Sequence, residues 1–158
     1  VYNIFKYSNI MKIKITLFSF LLCLNMANSS ELEYSPYLVD YENFLAIKPE
    51  NINNGDSLKG KKIFVSRKVN CLSCHEAPIP EERFHGNLGP SLESIGERYS
   101  KDEIRIRIID AKLINPSTIM PSYFKDVKFP RTEKKYLEKK ILSTEEVEHL
   151  VEYLYSLK

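Results

Sequence analysis

The segment Cys71-Leu72-Ser73-Cys74-His75 constrains the chain more than any other. Its spacing puts two thiols and an imidazole at i, i+3 and i+4, positions that share one face of a helical turn. Cys-x-x-Cys-His is the attachment signature of a c-type haem: both thiols add to the porphyrin's vinyl groups and the adjacent imidazole binds iron. With three Cys and three His among 158 residues, a chance match is expected on the order of 0.001 times. Zinc uses the same donor types, but a structural zinc site needs four of them. Outside the motif only His85 and His149 offer nitrogen, and no second cysteine pair follows. One covalently bound haem c is the expected cofactor, attached through Cys71 and Cys74 with His75 as an axial ligand.

What precedes the motif shapes the rest of the inventory. Met11-Lys12-Ile13-Lys14, followed by the apolar run Ile15 to Leu24, has the basic start and short apolar stretch of a secretory leader. Ala27-Asn28-Ser29 supplies small residues for cleavage after Ser29. The apolar run is shorter than the roughly 20 residues a membrane span needs, so the expected product is a soluble periplasmic protein. Residues 1–29 carry three lysines and no acid, so the formal balance moves from +2 for the whole chain to −1 without them. The positive total therefore gives no reason to expect nucleic acid as a partner. Cys23, Met11 and Met26 also leave with the leader. Both remaining cysteines then belong to the motif, and a single methionine remains, Met120.

Residues 30–55 form an N-terminal extension and 56–158 the main domain. In the extension, Tyr34, Tyr37, Tyr41 and Phe44 recur at steps of 3, 4 and 3, which on a helix makes one aromatic stripe, for the chain's own core or for a partner. Asp56 is suited to cap a helix running through Gly60 and Phe64 towards Lys68. Gly60, four residues before Phe64, leaves room for a second helix to cross closely. Two capping boxes follow, Ser100 with Glu103 and Ser143 with Glu146. The first opens a helix whose Arg105 and Arg107 are expected on the wet side. The second opens a helix with Val147, Leu150, Val151 and Leu154 on one face.

Between Ala77 and Gly89, two prolines and two glycines predict loop. Pro90, fifteen residues after His75, admits two roles. Its carbonyl suits the ring proton that an iron-bound histidine usually donates, and its fixed φ suits the start of a short helix over 91–98. His85, in the loop, is expected to be solvated or bonded locally. Met120 sits in an irregular stretch between Pro116 and Pro121, and a thioether is a common second ligand to c-type haem. The competing donor, His149, falls within the last predicted helix. Lys125, Lys128, Arg131, Lys134, Lys135, Lys139 and Lys140 form a basic stretch, usually a solvated loop but also able to steer an acidic redox partner.

The order of these features over about 56–157 resembles a class I cytochrome c: Gly-x-x-x-Phe on a helix, Cys-x-x-Cys-His, Gly-Pro-x-Leu, a methionine loop and Leu-x-x-Tyr-Leu on a terminal helix. The resemblance implies an all-α fold wrapped around one haem, with His75 and Met120 as axial ligands. Phe84 to Pro90, the Arg98-Tyr99-Ser100 step and Asp110-Ala111-Lys112 through Asn115-Pro116-Ser117-Thr118-Ile119-Met120-Pro121 are similar to the SoxX family of monohaem cytochromes. That likeness implies a SoxA-type cytochrome subunit as partner, a SoxYZ-type carrier protein reached through the complex, and a downstream electron acceptor. The complex would join thiosulfate oxidatively to a carrier cysteine, this chain being its non-catalytic electron-transfer subunit. A free-standing periplasmic electron carrier would share every haem residue, and a small zinc-binding interaction module is the reading from another class.

Overall fold

The computed structural model describes residues 33–126, 131, 133–137 and 139–158. The expected leader over 1–29 and Lys128 of the basic stretch lie outside them. The framework is helical: α1 (Ser57–Phe64), α2 (Ile95–Arg98), α3 (Lys101–Asp110) and α4 (Thr144–Ser156), with short 3-10 turns at Cys71–Ser73, Ala111–Leu113 and Lys134–Tyr136.

The expected caps form. The Asp56 side chain accepts from the N–H groups of Leu58 and Lys59 at the start of α1, and both capping boxes close at the starts of α3 and α4. α1 crosses α4 at Gly60, where a Cβ would lie 1.9 Å from the carbonyl oxygen of His149. Only a residue without a side chain permits that approach. Phe64 then meets Tyr153 with ring centroids 5.5 Å apart. Just past α4, the Leu157 carbonyl accepts from the Gly96 N–H of α2 at 2.9 Å.

Arg105 corrects the expectation for α3. It is 2% exposed, not wet. Its Nε and Nη2 donate to the two oxygens of Glu148 on α4 at 2.8 and 2.9 Å, and Nη1 donates to the Ala46 carbonyl at 2.8 Å. Burial alone would lower the Arg105 pKa, but the bond to Glu148 and its charge hold it above the ordinary value. A bidentate pair of this kind removes both charges from water together, which keeps the desolvation cost tolerable.

The aromatic stripe is not a helix. Residues 38–47 form an antiparallel hairpin, β1 (Leu38–Asp40) with β2 (Leu45–Ile47), in the register Leu38↔Ile47 and Asp40↔Leu45. The turn is made by Asp40, whose Oδ1 accepts from the N–H groups of Glu42 and Asn43, each at 3.0 Å, and by Phe44 at φ 54°. Local carboxylate bonds thus override the helical spacing of the rings. Tyr34 and Tyr37 are buried, while Tyr41 and Phe44 are exposed. Tyr37 packs against Phe124 at 5.1 Å between centroids, so the extension shares the core of the helices. Among the described residues, no helix is long and apolar enough to cross a membrane.

Candidate functional site

All five residues singled out in the sequence line one cavity of about 310 Å³: Cys71, Cys74, His75, Pro90 and Met120. Its walls are mainly apolar, with Ile104 and Ile108 from α3 and Leu150 and Leu154 from α4.

The histidine side is built by the main chain. The Cys74 and His75 N–H groups both donate to the Cys71 carbonyl, at 3.1 and 3.0 Å, which gathers the motif into one turn. His75 Nδ1 lies 2.8 Å from the Pro90 carbonyl oxygen. A carbonyl only accepts, so Nδ1 carries the proton and Nε2 is left as the nitrogen for a metal. Pro90 takes the first of its two expected roles, because α2 begins only at Ile95 after Ser94. The helix expected over 91–98 is correspondingly shorter. Gly89 packs so closely on the imidazole that a Cβ there would lie 2.3 Å from Cε1.

Both thiols are free. Burial pushes the Cys71 thiol up to about 12, and the neighbouring Cys74 adds to the rise. Tyr123, also in the lining, is raised by burial and then by Cys71 and Cys74, and its hydroxyl donates to the Val69 carbonyl at 2.8 Å.

The other two histidines are committed elsewhere. His149 Nδ1 accepts from the Asp56 N–H at 2.8 Å and Nε2 lies 3.2 Å from Glu145, so His149 serves the start of α1. His85 Nδ1 accepts from the Ala77 N–H at 3.2 Å, the local bonding expected of it. Neither is part of the cavity wall.

Two wall residues escaped the sequence argument. Arg98 and Arg107 line the cavity, and among the described residues no carboxylate does. Arg98 Nη2 donates to the carbonyls of Ser91 and Glu93 at 2.8 and 3.2 Å. Arg107 lies over the Tyr99 ring, 3.9 Å from its centroid, and donates to the Glu103 carbonyl. The Arg98-Tyr99 step was visible as a motif, but nothing in it said that Arg107 would stack on it. Two free thiols, one imidazole with Nε2 available, a thioether, apolar walls and an excess of positive charge fit a covalently held haem c with its two carboxylates.

The family described as cytochrome c matches residues 57–158. The chain belongs to the cytochrome c family. Family membership implies covalently bound haem c, in agreement with the cavity's donors. In fold this cytochrome c is similar to a chain of the crystal structure of SoxXA from P. pantotrophus, with a TM-score of 0.69 and 22% identity over 80% of this chain and 97% of that one. The expected class I cytochrome c fold is therefore the fold found, with the hairpin added to it. No curated protein sequence matches the chain.

Proposed function

We propose that this cytochrome c is the electron-transfer subunit of a SoxAX-type L-cysteine S-thiosulfotransferase, carrying one haem c and working in the periplasm beside a SoxA-type subunit. The observation that carries the reading is the meeting of His75 and Met120 in one cavity with Cys71 and Cys74. The fold likeness to a chain of SoxXA supports it, as do the SoxX-like residues between Phe84 and Pro121.

Joining thiosulfate to a cysteine of a SoxYZ-type carrier makes a sulfur–sulfur bond and releases two electrons. Bound in the cavity, haem c supplies one-electron chemistry at iron. The chain's own residues prepare the place for it. Cys71 and Cys74 would be the attachment points, His75 and Met120 would bind the iron, and Pro90 holds the histidine proton at Nδ1. The apolar walls exclude water, and Arg98 and Arg107 offset the cofactor's carboxylates. With His75 and Met120 both on the iron, the site would suit transfer rather than substrate binding. No third thiol exists among the described residues, so bond formation belongs to the partner, and electrons pass through this chain to a downstream acceptor.

The reduced protein should show the α-band of a c-type haem; its absence would leave a zinc module as the alternative. A SoxA-type cytochrome should co-purify, and deletion of this chain should stop thiosulfate oxidation. Recovery only as a monomer, with thiosulfate oxidation intact after deletion, would replace the proposal with a free-standing electron carrier. Met120→Ala should abolish the sulfur-to-iron charge-transfer band of the oxidised protein and lower its potential. An unchanged band would remove Met120 from the ligand set.

A further inference from the structure

Asp110 ends α3 with its side chain almost wholly buried, at 2% exposure. The position is unfavourable twice over: the C-terminus of a helix repels negative charge, and a buried carboxylate needs bonds to replace water. The bonds it receives come from three separate pieces of chain. Oδ1 accepts from the Ser122 hydroxyl at 2.5 Å and the Lys112 N–H at 3.0 Å, and Oδ2 accepts from the Tyr34 hydroxyl at 2.8 Å. The Lys125 ammonium stands 3.9 Å from Oδ2.

Two of these donors belong to the surroundings of Met120. Ser122 lies two residues beyond it. Two residues before it, the Thr118 carbonyl accepts from Lys112 Nζ at 2.7 Å, and Thr118 Oγ1 accepts from the Met120 N–H at 3.2 Å. Just past Ser122, the N–H groups of Tyr123 and Phe124 donate to the carbonyls of Ile108 and Ile109 at 3.3 and 3.1 Å, where α3 has no further turn to satisfy them. The methionine backbone is thus tied down on both sides by residues at the end of α3. A methionine side chain is flexible and adapts to its surroundings, so this anchoring decides how firmly its sulfur is presented.

We infer that Asp110 is a positioning residue for Met120, its buried carboxylate fixing the methionine segment against the cavity through Ser122. The inference rests on the proposal that Met120 is the second axial ligand. Its test is a titration of the oxidised holoprotein with imidazole, which competes with the thioether for iron. Ser122→Ala and Asp110→Asn should each bind imidazole about tenfold tighter than the wild type, the effect of losing one bond to a buried charge. Ser122→Thr, which keeps the hydroxyl, should restore wild-type affinity. Tyr34→Phe removes a bond from the same carboxylate but on a segment away from the methionine, so it should lower the thermal midpoint and leave imidazole affinity within about twofold. Equal shifts in Tyr34→Phe and Ser122→Ala would reduce Asp110 to a general structural role and overturn the inference. If Asp110→Asn does not fold, Ser122→Ala and Ser122→Thr decide. Met120→Ala separates the two readings. Imidazole binding no tighter than wild type there would sink the ligand assignment. Tighter binding there, with Ser122→Ala and Asp110→Asn like wild type, would sink only the role of Asp110.

Discussion

His75 and Met120, the two residues proposed to bind the iron, are held in different ways. Around His75 the main chain does the holding: the Gly86 N–H donates to the Leu72 carbonyl at 2.7 Å, Gly89 to Cys74 at 2.7 Å and Leu92 to Glu76 at 2.9 Å, so the loop folds back upon the motif. The imidazole then lies between Gly89 and the Pro90 carbonyl. Around Met120 side chains do much of the holding, with Asp110, Lys112 and Ser122 as the anchors. Main-chain bonds survive most substitutions, whereas each side-chain bond can be deleted alone. The histidine side should therefore tolerate change until a glycine is lost, and the methionine side should loosen in steps.

The largest expected effect lies beneath the methionine side. α3 brings Asp110 to its place, and the buried Arg105–Glu148 pair holds α3 against α4. Glu148→Ala removes the bidentate partner of a buried guanidinium and leaves it only Asp102 and the Ala46 carbonyl, a loss that costs about 3 kcal/mol, the lower end for breaking a buried pair. Denaturant midpoints measure it, and a loss below about 1 kcal/mol would mean that water reaches the pair. The charge-transfer band of the thioether should weaken in this variant before any signature of the histidine changes.

Next comes Gly89→Ala, on the histidine side. A Cβ 2.3 Å from the ring cannot be accommodated without moving either the imidazole or the loop. Overpacking of this kind costs about 1–3 kcal/mol. The His75 bond to Pro90 should break with it, visible as a shifted imidazole proton resonance in the reduced protein. An unchanged resonance and stability would show that the loop yields more easily than its main-chain bonds suggest.

The same contrast explains what the sequence disclosed. Cys71, Cys74, His75 and Pro90 lie close together along the chain, and their chemistry depends on spacing, so they could be recognised without a structure. Met120 stands out by elimination and by its flanking prolines, and it lines the same cavity. Arg105 was not recognised as buried, because its partner lies 43 positions away and an Ile-Arg alternation on a capped helix looks like one wet face. α3 instead buries residues nearly all round. The hairpin was missed for a related reason: rings spaced by three and four imitate a helical stripe, while the deciding bonds at Asp40 are made two and three residues ahead. On the methionine side, Asp110 and Lys112 stood in the family-like stretch, but their anchoring role did not show there, because it depends on Ser122 reaching Asp110 across 12 positions and Lys112 reaching Thr118 across 6.

A smaller effect is expected from a change that touches neither the histidine side nor the methionine side. α4 supports the cavity through Leu150 and Leu154, and its start is secured by Glu146, which accepts from the Ser143 N–H at 2.8 Å and pairs with Lys68 at 2.6 and 2.8 Å. Burial alone would raise the Glu146 carboxyl, but the bonds from Lys68 and Ser143 outweigh it and hold the pKa below the ordinary value. Its contribution to stability is then complete above the carboxyl's unfolded pKa and is lost as pH falls through the lowered folded value. Glu146→Ala should cost about 1 kcal/mol at neutral pH, the usual worth of a helix cap, and the gap from wild type should close on acidification. A gap that persists below the carboxylate range would trace the loss to helix propensity or packing instead of the charged cap. Imidazole affinity and the charge-transfer band should stay at their wild-type values throughout, because the loss is spread over α4 and loosens neither the main chain around His75 nor the anchors of Met120.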